Sequence, residues 1–274
     1  MIKMKKIIYP LLVFLFFAVP VNGFFISVQV AGTIKGSLDY INLTPVIYEG
    51  MPQEFLLNWE NIGSVGCALR VRVDIYNNET GEFVYTAWSK KIPLEPGAYN
   101  LFKAYWYPDV YGNFTAKYSV LLCNDIYRGP ELSFTVLPKN ITQEKNNIIT
   151  VKKIENTKNN IKLEITANED INNLFLIPEN PPLGWAVEYG EINKIKKGET
   201  KILTINYEPG IWKKTNLSFN IVTKNGKYFG KINFFIEEKK GLNFEQILFF
   251  VILIFLIISI FFNFYFFRKI KKIK

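Results

Sequence analysis

"CALRVRVDIY", residues 67–76, alternates apolar and polar side chains over most of its length and decides the fold class. One face of an extended chain carries Cys67, Leu69, Val71, Val73 and Ile75. The opposite face carries two arginines and an aspartate. A period of two is typical of a half-buried strand in an antiparallel sheet that has one solvated face.

The same alternation recurs along the chain and predicts an all-β fold. Further inward rows lie at residues 55–59, 114–120, 132–136, 161–167, 203–207 and 217–221. Turn residues separate these rows about every 8–12 residues, a spacing typical of a β-sandwich or barrel. The pair Asn225–Gly226 predicts a hairpin with a type I′ turn, because both central residues of that turn need positive φ angles.

The C-terminal sequence predicts a membrane anchor. Residues 247–267 carry no charge, and about 20 apolar residues suffice to cross a bilayer. Short basic flanks stay on the cytoplasmic side of a membrane. Five bases follow the apolar segment: Arg268, Lys269, Lys271, Lys272 and Lys274. The expected topology is single-pass and type I in the cell membrane, with the lipid bilayer as a partner; a long buried core helix is the alternative.

The N-terminal residues 1–23 have the pattern of a secretory signal peptide. Three lysines precede an apolar stretch from Ile7 to Val19 that is short for a membrane span, and Val21–Asn22–Gly23 fits a cleavage site. An uncleaved signal anchor is the alternative. Without the eight basic residues of the two ends, 25 of the 33 remain against 24 acids. The net positive charge therefore comes from the two terminal segments and reflects the membrane topology of the chain, so no nucleic-acid partner is expected.

The polar stretch 138–147 is interpreted as a linker between two domains. Residues 24–137 and 148–237 are each close to the ~100 residues of an immunoglobulin-like domain. The fold expected is all-β, with two tandem immunoglobulin-like β-sandwiches and one C-terminal transmembrane helix. Residues 238–246 form the expected stalk, and residues 268–274 the basic cytoplasmic tail.

Two stretches resemble known surface modules. The first, EGMPQEFLLNWENIGSVGC and its continuation to YSV, resembles the CARDB-like adhesion modules of archaeal and bacterial surface proteins. The residues that carry this resemblance are Asn61, Gly63, Leu94, Pro96, Gly97, Trp106, Pro108, Gly112 and Phe114. The second stretch resembles NEW3-type modules through Pro181, Pro182, Gly184, Trp185, Gly198, Glu199 and Pro209. Both resemblances imply surface-exposed immunoglobulin-like domains with adhesive or structural roles, since these turn motifs specify a fold rather than a ligand.

The composition argues against enzymatic chemistry. The chain has no histidine, which removes the commonest general base and metal ligand. The carboxylate pair Glu169–Asp170 is interpreted as solvated rather than as a calcium site, because calcium takes six to eight oxygen ligands. We expect no enzyme activity, no metal and no cofactor, although carboxylates converging from distant strands remain an alternative.

Cys67 and Cys123 are expected to form a disulfide outside the cell, with two separate thiols as the alternative. Cys67 should begin one strand and Cys123 should end its antiparallel neighbour. Strict alternation from Tyr118 places Cys123 outward, however. A bulge within residues 120–122, or loss of register at the strand end, would reconcile the two positions.

Five N-x-S/T sequons are candidate glycosylation sites on the expected outer side of the membrane. They lie at Asn78, Asn113, Asn140, Asn216 and Asn42. Chance occurrence is the alternative in a chain rich in asparagine, and Pro45 follows the Asn42 sequon closely.

Tyr105 and Tyr107 are the candidate contact surface. Alternation cannot bury three consecutive aromatic residues, so the two tyrosines that flank Trp106 are expected to be partly exposed. We therefore expect a non-catalytic role in binding, adhesion or envelope scaffolding, with a protein or glycan partner outside the cell. A carbohydrate-binding module and an anchored accessory of an extracellular hydrolase are the alternatives.

Overall fold

The computed structural model describes residues 32–123, 125–139, 148–210 and 214–237, with residues 252, 254 and 258. Strands make up the regular structure up to residue 237, so the prediction of an all-β fold is confirmed there. The strands are β1 Gly36–Leu43, β2 Val46–Tyr48, β3 Gln53–Asn61, β4 Cys67–Asn77, β5 Phe83–Trp88, β6 Ile92–Leu94, β7 Tyr99–Trp106, β8 Gly112–Leu122, β9 Asp125–Leu137, β10 Ile149–Asn156, β11 Asn160–Ala167, β12 Ile171–Glu179, β13 Ala186–Val187, β14 Gly190–Ile195, β15 Thr200–Glu208, β16 Lys214–Thr223 and β17 Tyr228–Glu237.

Strands β1 to β9 form a two-sheet sandwich, named here the N-terminal sandwich. One sheet has the order β1-β3-β7, and the other has the order β2-β9-β8-β4-β5, with β6 also paired to β4. The alternation predicted for residues 67–76 is confirmed from Leu69 to Ile75, whose apolar side chains are buried. They join one core cluster with the inward rows of β3, β8 and β9.

Strands β10 to β17 form the C-terminal sandwich. Its sheets have the orders β10-β11-β15-β13 and β14-β12-β16-β17. The predicted inward rows at 161–167, 203–207 and 217–221 are buried in a second core cluster. The described residues from Ile34 onward nevertheless belong to one compact unit, because the two sandwiches also pack against each other.

The hairpin between β16 and β17 forms where Asn225–Gly226 predicted it, but with a different turn. Gly226 has a φ of +81°, whereas Asn225 is not among the residues with positive φ. The Gly226 N–H donates to the Thr223 carbonyl, and the Thr223 N–H donates to the Lys227 carbonyl. This pattern is that of a type I turn followed by a left-handed glycine, so the prediction of a type I′ turn is wrong.

Several predicted segments lie outside the described residues: the signal peptide 1–23, linker residues 140–147, the stalk 238–246 and the tail 268–274. Within the predicted anchor 247–267, only Ile252, Ile254 and Ile258 are described, and they are helical. In the described part of the chain, no helix has the length and apolar character of a membrane span.

Candidate binding surfaces

Cys67 and Cys123 form a disulfide in the structure. Cys67 begins β4, and Cys123 follows the last residue of β8, the antiparallel neighbour of β4. The register between β4 and β8 is unbroken as far as Leu69–Leu122, so no bulge displaces residues 120–122 relative to β4. Instead Cys123 has a φ of +55°, a left-handed conformation that breaks the alternation at the strand end and redirects its side chain.

The expectation that Tyr105 is partly exposed is wrong. Only 4% of Tyr105 is accessible to solvent, and Tyr107 is half-buried. Tyr105 does lie on the outer face of the β1-β3-β7 sheet, as alternation required, opposite Glu54 on β3. That face is covered at this end by the C-terminal sandwich, where the sequence pattern predicts solvent.

An aromatic cluster fills the contact between the two sandwiches. The Tyr105 ring centroid lies 4.7 Å from that of Phe175 and 4.5 Å from that of Tyr189. These three rings form a third buried cluster together with Ile177 and Val222. At its edge, the Tyr107 ring stacks on Tyr228 at 5.7 Å with an interplanar angle of 22°. Tyr105 and Tyr107 therefore form a contact surface, and the C-terminal sandwich of the same chain is what they contact.

Hydrogen bonds and ion pairs also occur where the two sandwiches meet. The Tyr105 hydroxyl donates to Glu54 Oε1 at 2.6 Å. The Tyr85 hydroxyl donates to the Pro178 carbonyl at 2.6 Å, across the two sandwiches. Glu208 pairs with Arg70 at 2.5 Å and with Lys91 at 2.8 Å.

The surroundings shift the ionisation of these groups. Burial, then the hydrogen bond to Glu54 and its charge, raises the pKa of Tyr105 above its ordinary value. Burial, then the neighbouring Tyr228 and Asp109, raises the pKa of Tyr107 to about 12. Burial raises the pKa of Glu208, but the hydrogen bond from Lys91 and the charge of Arg70 outweigh it and hold the pKa below its ordinary value.

A groove lies beside this contact, between β5 and the segment that connects β12 to β13. Its volume is about 390 Å³. One wall contains Phe83, Val84, Tyr85, Thr86 and Trp88, with Arg72 beside them, and the other contains residues 180–185. The indole N–H groups of Trp88 and Trp185 are buried and have no hydrogen-bond partner in the described structure.

A second surface is the free end of the outer β1-β3-β7 face. Tyr40 on β1 lies opposite Asn58 on β3, which lies opposite Leu101 on β7, so these three side chains form one row. Tyr40 is 46% exposed, and Tyr99, two residues from Leu101 on β7 and therefore on the same face, is 74% exposed. The Asn58 amide donates to Asp39 at 3.0 Å and lies between the apolar ends of the row.

Four of the five sequon asparagines lie at the surface, and Asn140 is outside the described residues. Asn42, Asn78, Asn113 and Asn216 are all exposed. The carbonyl oxygens of Asn78 and Asn113 accept hydrogen bonds from the hydroxyls of Thr115 and Thr135.

The carboxylates Glu169 and Asp170 have separate protein partners. Glu169 pairs with Lys227 at 2.6 Å, and Asp170 accepts the Lys197 backbone N–H at 2.7 Å. Over the described ranges of the chain, no three acidic, cysteine or histidine residues are grouped as metal ligands.

The residues of the C-terminal sandwich that contact Tyr105 were not recognised in the sequence. Strand β12 contains the signal that identifies them, because Leu174 to Pro178 are five consecutive buried residues. A strand with one wet face alternates, whereas a strand buried on both faces reads as a continuous apolar run. The run in β12 therefore marks a sheet covered on both sides, although the sequence does not reveal what covers it.

Comparisons with known proteins give weak likenesses. No family model and no curated relative matches the chain. A CARDB domain from Pyrococcus furiosus, in complex with di-metal ions, is 16% identical over 39% of this chain and 96% of its own, with a TM-score of 0.29. The YadV chaperone is 12% identical over 71% of this chain and 98% of its own, with a TM-score of 0.22.

The Pseudomonas fluorescens alkylpurine DNA glycosylase AlkC, bound to DNA with an abasic site analogue, is 18% identical over 38% of this chain, with a TM-score of 0.31. The match spans 30% of the glycosylase chain. A CARDB domain is thus one structural neighbour, while nothing in the comparisons supports a NEW3-like half. At these TM-scores, the likenesses carry no argument about the function of this chain.

Proposed function

We propose that the chain is a single-pass cell-surface protein whose two immunoglobulin-like sandwiches bind a partner or scaffold the envelope without catalysis. The observation that carries this proposal is the packing of the sandwiches against each other around Tyr105. Such packing holds the surfaces of both sandwiches in fixed relative positions. A preorganised surface loses less conformational entropy when it binds a partner, which suits a binding or scaffolding role.

The proposed attachment to the membrane is supported by the apolar sequence of residues 247–267 and by the five basic residues that follow it. Within this proposal, residues 24–237 lie outside the cell and residues 268–274 in the cytoplasm. The disulfide supports the outward placement, because disulfides persist in oxidising compartments.

The location is tested by treating intact cells with protease and washing their membranes with alkaline carbonate. We expect the protease to digest the sandwiches without lysis, and the carbonate to leave the chain in the membrane. A cytoplasmic protein followed in the same samples shows that the cells stayed closed. Sandwiches that are spared until lysis, or a chain released by carbonate, would contradict the proposal.

A second candidate, carbohydrate binding, is favoured by the row formed by Tyr40, Asn58 and Leu101, with Tyr99 beside it. Exposed tyrosine rings stack on the apolar faces of sugars, and the Asp39 and Asn58 side chains offer partners for hydroxyls. We expect Tyr99→Ala to abolish retardation of the purified chain in gels that contain polysaccharide. Tyr111→Ala is the matched control, because Tyr111 is 65% exposed and is not part of this row. Equal retardation of both variants would reject this candidate.

A further inference from the structure

We propose that the groove beside β5 binds an extended strand of a partner polypeptide, which continues the six-stranded sheet of the N-terminal sandwich. The inference rests on the proposed binding role and deepens it, because it names the site and the chemistry of the partner.

The groove runs along the edge of β5 rather than over one of its faces. Successive side chains of a strand point to opposite faces, yet the groove is lined by four consecutive residues, from Phe83 to Thr86. In the described part of the chain, β5 ends the sheet order β2-β9-β8-β4-β5 and has its strand partner, β4, on one side only. Among the described residues, the backbone pairing of its other edge with the C-terminal sandwich is a single bridge between Trp88 and Glu188, and the Tyr85 side chain also reaches the Pro178 carbonyl.

The register of β5 shows which backbone groups face the groove. The Ser89 N–H donates to the carbonyl of Val71, the residue opposite it, at 2.9 Å. Directly bonded pairs alternate along an antiparallel ladder with pairs whose backbone groups point away from each other. Thr86 lies opposite Asp74, three positions from Ser89, so it belongs to a pair of the second kind. The Thr86 N–H and carbonyl therefore point away from β4, toward the groove.

The opposite wall leaves these groups available to another chain. It contains Pro181 and Pro182, which have no backbone N–H, so it cannot form a regular ladder with β5. At the mouth, Leu183 is 83% exposed and Phe83 is also exposed, which provides apolar contacts for the side chains of an incoming strand.

These features together favour a polypeptide over other ligands. Four residues of strand edge extend over about 13 Å, and an edge that offers alternating donors and acceptors is complementary to another extended backbone. The apolar mouth further selects apolar side chains at alternate positions of the bound strand. A small apolar molecule would leave the backbone groups of Thr86 without partners, which is unfavourable in a partly buried site.

The proposal is tested with a random heptapeptide library displayed on phage, panned against the purified full-length chain in detergent. We expect enriched peptides to be free of proline and to carry apolar residues at alternate positions. Synthetic copies of the best-enriched peptide, with and without N-methyl groups on alternate residues, serve as probes. N-methylation removes backbone donors while it keeps the side chains, so we expect it to abolish binding.

Two pairs of variants locate the binding site. Thr86→Pro removes the outward N–H without removing a bond to β4, and Thr86→Ala is its control, because both lose the hydroxyl bond to Asp74. We expect Thr86→Pro, but not Thr86→Ala, to weaken binding about tenfold or more. Leu183→Asp tests the mouth, and Ile202→Asp is its control at an exposed position outside the groove.

Four outcomes would overturn the inference. The first two are that panning enriches no peptides, or that it enriches peptides rich in proline. The third is that the enriched peptides bind Thr86→Pro and Leu183→Asp as tightly as they bind the unaltered chain. The fourth is that sedimentation shows the chain associating with itself through this edge. The last would make a second copy the occupant. None of these results depends on where the chain resides. A failure of this inference can therefore be distinguished from a failure of the proposed cell-surface location, which the protease and carbonate experiments test.

Discussion

Tyr105 contacts the C-terminal sandwich with its ring and its own sandwich with its hydroxyl. Its ring packs against Phe175 and Tyr189, while its hydroxyl donates to Glu54. Glu54 also lies 3.7 Å from Lys224 of the C-terminal sandwich. The residue therefore joins the apolar and the polar parts of the contact.

We expect Tyr105→Ala to lower the free energy of unfolding by about 3–5 kcal/mol, because the substitution leaves a cavity among buried rings. Tyr111→Ala is the control at an exposed tyrosine and should change the free energy of unfolding by less than about 0.5 kcal/mol. Urea unfolding of the full-length chain in detergent, followed by tryptophan fluorescence, measures both. Similar values for the two variants would contradict the burial of Tyr105 between the sandwiches.

Glu208 makes the contact sensitive to acid. Its pKa is lowered in the folded chain, so its ion pairs contribute in full above the ordinary carboxyl value of 4.5. That contribution is lost as the pH falls from 4.5 through the lower pKa that Glu208 has in the folded chain. We expect the stability difference between the unaltered chain and Glu208→Gln to shrink as the pH falls from 7 toward this range.

Unfolding midpoints at a series of pH values test this expectation. Glu79→Gln, in the exposed turn after β4, is the control. A difference for Glu208→Gln that stays constant from neutral to acid pH would show that the ion pairs with Arg70 and Lys91 add no stability.

At the scale of elements, the turn between β16 and β17 touches the N-terminal sandwich. A Cβ atom placed on Gly226 would lie 3.0 Å from the Gly50 carbonyl oxygen and 3.0 Å from Met51 Cγ. Gly226 is therefore required both by its positive φ and by the close approach of a second backbone. The hairpin thus contributes to the contact between the sandwiches as well as to its own sheet.

A pair of glycine substitutions separates these two requirements. Gly198 has a φ of +76° but open space where a Cβ atom would lie, so Gly198→Ala should cost about 1–2 kcal/mol from backbone strain alone. Gly226→Ala should cost on the order of 1 kcal/mol more, because it also crowds Gly50 and Met51. Urea unfolding measures both, and equal costs would mean that the turn does not press on the N-terminal sandwich.

The strands themselves were largely predictable, because alternation records which side chains face a core. The rows in β4, β8, β11 and β16 were identified for this reason. Alternation does not predict two local conformations, which are the left-handed backbone at Cys123 and the type I turn before Gly226. Both depend on backbone angles at the ends of strands, where alternation no longer constrains the chain.

At the scale of the whole molecule, the sequence separated two sandwich-sized halves but gave no indication that they pack together. Alternation identifies the two faces of a sheet without saying what covers the outer one. The pattern therefore predicts the face on which Tyr105 lies, but not the sandwich that covers it. The groove beside β5 was missed for a related reason, since Thr86 and Leu183 meet only when both sandwiches are in place.

The disulfide between Cys67 and Cys123 also limits how far the chain can lengthen under tension. The bridge joins residues 56 positions apart, and extended chain adds about 3.3–3.6 Å per residue. When the two ends of the protein are pulled apart, the oxidised chain should therefore unravel to a contour about 190 Å shorter than the reduced chain. Single-molecule stretching with and without reductant measures this difference, and equal contours would show that the cysteines are not bridged. A bridged chain would limit its own extension when a load acts between the proposed binding partner and the proposed membrane anchor.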